Sequence, residues 1–142
     1  MSTKQVSSST GARKPRLRAP QFLCEMRSAL IARLEALHAA YTAMQLPELA
    51  ERVRATPHIA YRTVDPDEIS DAVLALGRAV EGSCITPAAQ LADGLFGIAY
   101  GFGLLADGIR EKQPTSWRRG CRNMALDAAR EMAERMAEEV QP

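Results

Sequence analysis

Apolar positions recur along this chain at helical spacing, every three or four residues, and nowhere in the strict alternation of a strand. From Phe22 to Leu46 the residues Leu23, Met26, Leu30, Leu34, Leu37, Tyr41 and Met44 follow that rhythm, which predicts one amphipathic helix with a single stripe turned inward. Pro47 ends or restarts it. Pro47 to Ala55, with Leu49 and Val53 one turn apart, is expected as a short second piece, and Thr56 to Val64, carrying Pro57 and Thr63, as loop or brief extended chain. Asp65-Pro66-Asp67-Glu68 then opens a helix: Asp65 can cap free N–H groups, Pro66 suits the first turn, and Glu68 stands where a capping box puts its acid. Ile69, Val73, Leu76 and Val80 carry it on, and Gly82 is placed to stop it. Thr86-Pro87 repeats the cap-then-proline pattern and opens an apolar helix that reaches Arg110. Pro114-Thr115-Ser116 starts a last helix, with Trp117, Cys121, Met124, Ala128, Met132 and Met136 on one face and Arg130, Glu131, Glu134, Arg135 and Glu138 on the other. The expected architecture is an all-α, single-domain bundle of four main helices plus one short helix over residues 21–142.

The apolar helix is the distinctive element. On a helical wheel of about 100° per residue, Gly94, Gly97, Gly101 and Gly108 fall within about 60° of one another. Such a smooth stripe admits a neighbouring backbone, either from this chain or from a second copy, so it is a candidate helix-packing or self-association stripe. Interior glycine costs about 0.8–1 kcal/mol relative to alanine, and close packing must recover that. Asp93, Tyr100 and Asp107, seven residues apart beside the stripe, form a candidate recognition edge. A membrane span is not expected: the charge-free run Gly94–Ala106 has 13 residues, short of the roughly 20 a bilayer core requires, and Asp93 and Asp107 bracket it.

Composition agrees with helices. The chain is 46% apolar but only 5% aromatic, and alanine, leucine and methionine favour helix where strands would use β-branched and aromatic residues. The net charge of +1 hides a split. Residues 1–20 hold Lys4, Arg13, Lys14, Arg16 and Arg18 before the first carboxylate, Glu25. Removing those five leaves 13 basic against 17 acidic residues, a formal charge of −4. A disordered basic tail on a mildly acidic body is the expected layout.

Candidate chemistry is sparse. Cys24, Cys84 and Cys121 are odd in number and lack CxxC spacing, which suits buried or free thiols in a reducing, cytoplasmic setting. No apolar segment follows the basic start as a secretion signal would require. His38 and His58 have no ligand partner at metal spacing, and no phosphate-loop or EF-hand pattern occurs. No enzyme activity, cofactor or metal is therefore expected. The first expectation is a non-enzymatic interaction protein, an adaptor or regulator that binds other proteins and forms a homo-oligomer. The second is an accessory nucleic-acid-binding protein, using Arg13, Lys14, Arg16 and Arg18 of the tail together with Arg118, Arg119 and Arg122. Without a ligand, those last three form a solvated first turn that pairs with acids such as Glu25 or Glu111.

Overall fold

A computed structural model describes residues 20–140, with the backbone alone at 57–62 and 139–140. The expected tail, Pro20 excepted, lies outside the described residues, as do positions 141–142. Six helices account for almost all the rest: α1 Leu23–Ala43, α2 Pro47–Arg62, α3 Pro66–Gly82, α4 Thr86–Leu91, α5 Leu95–Arg110 and α6 Thr115–Val140. The protein is all-α, with no strand among the described residues.

Helix α1 follows its apolar rhythm: Leu23, Met26, Leu30, Leu34, Leu37 and Tyr41 are all fully buried. The second piece is longer than its prolines suggest. Helix α2 runs 16 residues, straight through Pro57, to Arg62. Proline there forfeits one backbone hydrogen bond; Leu49, Ala50, Val53 and Thr56 form the buried face of the turns that precede it. Thr56 Oγ1 also donates to the Arg52 carbonyl at 3.0 Å.

The start of α3 matches its capping signal, with a relay. Asp65 Oδ1 accepts from the Asp67 N–H at 2.9 Å. Glu68 does not reach the Asp65 N–H directly. The Thr63 hydroxyl accepts from that N–H at 2.9 Å and donates to the Glu68 carboxylate at 3.2 Å. At the other end the helix stops at Gly82, but the left-handed residue that turns the chain is Cys84, at φ 59°.

The apolar stretch differs most from its expectation. It is two helices, broken by a turn at Ala92–Gly94. Thr86 does not cap; Ile85 precedes the first turn and offers no side-chain bond. The break sends α4 beneath α1, where the Tyr41 hydroxyl donates to the Ala88 carbonyl at 2.8 Å in a buried contact.

The five long helices close a ring in which α1 packs on α2, α2 on α3, α3 on α5, α5 on α6, and α6 back on α1. Helix α4 crosses one end, against α3 and α6. Gly77 meets Phe96 and Ser70 meets Ala99, so α3 and α5 are antiparallel; Gly94 meets Met132 and Gly108 meets Trp117, so α5 and α6 are too. Short turns set α1 against α2 and α2 against α3 in the same way. An odd ring of alternating helices must close on one parallel pair. That pair is α1 and α6: Glu25 meets Arg122 near both N-termini, and Ala40 faces the Ala133–Ala137 end.

Candidate interaction surfaces on the two flanks of α6

On one flank, α6 meets the glycine stripe. A Cβ at Gly101 would lie 2.8 Å from the Ala125 methyl, 3.0 Å from the Cys121 carbonyl and 3.1 Å from the Ala125 nitrogen. One at Gly97 would meet the Ala128 methyl at 2.8 Å, and one at Gly94 the Ala128 carbonyl at 2.8 Å as well as Met132 Cγ. One at Gly108 would strike the Trp117 indole at 2.6 Å. All four glycines of the stripe thus face α6 of the same chain. The alanines on α6 are the complementary half of a backbone-to-backbone seam. Two residues read from the sequence as part of that inner face, Trp117 and Met124, are 43% and 42% exposed; Cys121, Ala125, Ala129, Met132 and Met136 do the burying.

The opposite flank of α5 packs on α3, where the buried Ser70 hydroxyl donates to the Ala99 carbonyl at 2.8 Å. Helix α5 is therefore gripped on two sides and is not enclosed. Its outward strip holds Tyr100 and Asp107, with Asp93 in the turn just before the helix; all three are exposed, Tyr100 at 57%. Both acids are already engaged. Asp93 pairs with Arg135 at 3.6 Å, and Asp107 pairs with Arg110, which also grips Asp67. Those two carboxylates raise the Arg110 pKa above its ordinary value. The stretch Thr86–Arg110 is long and apolar enough by length and composition to cross a membrane, and half of its apolar window is buried inside the bundle.

On its other flank α6 meets α1, and here the seam opens. A groove of about 710 Å³ runs between the C-terminal halves of the two helices, with Pro87 and Leu91 of α4 as its floor. Ala36, Ala39, Ala40 and Ala43 form one wall; Ala133, Met136 and Ala137 form the other. Only Arg33 brings a charge to it. The sequence does carry a signal for this groove, a run of alanines at i, i+3, i+4 and i+7 on α1. Alanine in a helix, however, reads equally well as plain propensity.

Nearer the N-termini the same seam is shut. The Arg122 guanidinium lies 4.6 Å over the Phe22 ring and 3.3 Å from Glu25, so the pairing with Glu25 that the sequence suggests is present. Arg119 is exposed, and Arg118 is half-buried with its Nε lacking a partner. The tail residues Arg13, Lys14, Arg16 and Arg18 lie outside the described residues.

A second, more polar groove of about 480 Å³ lies between α3, α4, α5 and α6, with Glu81, Cys84, Asp93 and Arg135 among its walls. Cys24 and Cys84 are exposed, whereas burial pushes the Cys121 thiol pKa up. His38 is half-buried; the side chain of His58 lies outside the described residues. Among the described residues no group of three His, Cys, Asp or Glu could hold a metal ion. Compared with protein-family models, curated proteins and solved structures, the chain matches none of them.

Proposed function

We propose that this chain is a non-enzymatic, cytoplasmic interaction protein that assembles through the groove between α1, α4 and α6, and that its occupant is α1 of a second copy. The alanine-walled groove is the observation that carries this reading. Its walls are built mostly of alanine and its lining is nearly all apolar, the character of helix-in-groove recognition. Helix α1 also presents Ala32, Ala39 and Ala43 outward, all exposed. It is thus both a wall of the groove and a smooth ridge that fits one. A surface with both parts is self-complementary, as a two-fold interface requires. Arg33 at the rim and exposed Glu35 on the outer face supply opposite charges for such a pairing.

The test is the mass of the full chain by light scattering at micromolar concentration, for the wild type and for Ala39→Arg. The wild type should be a dimer and the variant a monomer of unchanged helicity. A monomeric wild type, or a variant that still dimerises, would sink the reading. A groove that instead takes a different protein would leave the wild type monomeric and show itself as a stoichiometric complex with that protein.

A further inference from the structure

We propose that the groove between α1, α4 and α6 also takes a single-chain fatty carboxylate, with its head on Arg33, and that this ligand releases the second copy. The inference rests on the assembly reading of the groove and names what regulates it.

The lining decides which chemistry can enter. Eleven residues wall the groove, and ten of them are alanine, methionine, leucine or proline. No lining side chain carries a hydroxyl, amide or carboxylate, and none is aromatic. A sugar, a nucleotide or an extended peptide would lose its hydrogen bonds to water here and find no replacements. Two kinds of guest escape that cost. A helix satisfies its own backbone, which is the case of α1 from a second copy; a hydrocarbon chain has nothing to satisfy.

Shape and charge favour a chain with one head. Arg33 is the lining residue nearest the start of α1, on the side where the Arg122–Phe22 contact shuts the seam. From Arg33 to Ala43 the α1 wall rises about 15 Å, the reach of an extended chain of about twelve carbons. Met44 and Met136 in the lining are unbranched and adaptable, which suits a flexible tail.

The head group is set by Arg33. It is half-buried, and its guanidinium has no carboxylate partner among the described residues. One turn away on α1 stand Ala29, Leu30, Ala36 and Leu37, none of them acidic. Across the seam, Asp127 and Glu134 of α6 are both held by Arg130, at 3.3 and 3.8 Å. An unpaired guanidinium beside apolar walls calls for a planar anion, and a carboxylate matches its fork of donors. A ligand carboxylate there takes the place of Glu35 from a second copy, and the tail fills the seat of that copy's α1. Binding and assembly therefore exclude each other.

Two readouts on the full chain keep ligand and assembly apart. Titration calorimetry uses octanoate, decanoate and dodecanoate below their micelle-forming concentrations, and light scattering gives the mass before and after. One site per chain should fill, tightening roughly tenfold for every two carbons added. Dodecanoate should turn the dimer into a monomer of unchanged helicity. Dodecyltrimethylammonium, with the same tail and the opposite charge, should bind roughly tenfold more weakly, and Arg33→Gln should remove that preference while Arg33→Lys keeps it. Phosphatidylglycerol vesicles, whose anionic chains are packed in a bilayer, should retain no protein. No saturable binding, affinity indifferent to chain length, equal binding of the cationic amphiphile, retention on vesicles, or a dimer that persists with the site full would each overturn the proposal. A wild type already monomeric before ligand is added overturns the assembly reading instead. The competition falls with it, and the calorimetry alone then decides the site.

Discussion

Helix α6 has two flanks made of small residues, and they behave in opposite ways. Against α5, its alanines meet glycines, the helices run antiparallel, and the backbones come so close that a single added methyl has no room. Against α1, its alanines meet alanines, the helices run parallel, and a groove of about 710 Å³ remains. A smooth stripe alone therefore does not mark a surface as free or taken. What decides is whether the facing residues let the backbones touch, and which other elements hold the pair together. The α5/α6 pair shares a short connecting turn. The α1/α6 pair is merely the last to meet in a ring of five, pinned at one end by Arg122 on Phe22.

The largest effect should come from forcing bulk into the shut flank. Gly101→Leu drives its first carbon into Ala125 and the Cys121 carbonyl, and neither backbone atom can move without displacing α6. The expected cost is about 3 kcal/mol or more, read as a fall in the urea midpoint. A fold that keeps its midpoint would mean that α6 is not seated on this stripe, and the contrast between the flanks would collapse.

Next comes the floor of the open flank. Tyr41→Phe removes one buried hydrogen bond to the Ala88 carbonyl, which keeps its bond from the Ala92 N–H at 3.1 Å, at an expected cost of about 0.5–1.5 kcal/mol. Burial raises the Tyr41 phenol well above its ordinary pKa, so its contribution has a definite pH window. It is fully present below the unfolded value of about 10 and declines as pH rises past that value toward the raised folded one. The stability gap between wild type and Tyr41→Phe should therefore narrow in alkali. A gap that stays constant from neutral pH to about pH 11 would show that the phenol does not titrate higher in the fold.

The two flanks also differ in how far the sequence discloses them. Glycine spacing from Gly94 to Gly108 announces a close approach, since glycine in a helix interior has a cost that something must offset. It does not say from which chain the neighbour comes. The answer lies in Ala125 and Ala128, whose spacing passes for ordinary helix composition. Helix class and the α1 stripe were legible for the same reason that periodicity is: they depend on neighbours one turn away. The passage of α2 through Pro57, the break at Ala92–Gly94 and the parallel closure of α1 on α6 depend on packing across the ring.

A smaller effect of opposite sense should separate the flanks directly. Ala40→Leu, on the groove wall, adds bulk just as Gly101→Leu does. Here the added carbons enter open space, so stability should hold within about 1 kcal/mol or rise, because each buried methylene contributes about 0.8 kcal/mol. The same change should abolish dimerisation by filling the seat. A loss as large as that of Gly101→Leu would mean that the α1/α6 seam is already closed.

The smallest effect isolates packing from backbone propensity. Gly120 and Gly101 both lie inside long helices, and neither has a positive φ. Alanine should therefore gain about 0.8–1 kcal/mol of helix propensity at either position. At Gly120, exposed in α6, an added Cβ meets nothing within 4 Å, so Gly120→Ala should raise the urea midpoint by that full amount. At Gly101 the same methyl meets three atoms at 2.8 to 3.1 Å, two of them backbone, so Gly101→Ala should lower it despite the same gain. Propensity cancels in the difference between the two variants, and what remains is the steric cost of the shut flank alone. Equal midpoint shifts would mean that the glycines of α5 serve no close approach, and the α5/α6 seam would then be no tighter than its alanine-walled counterpart.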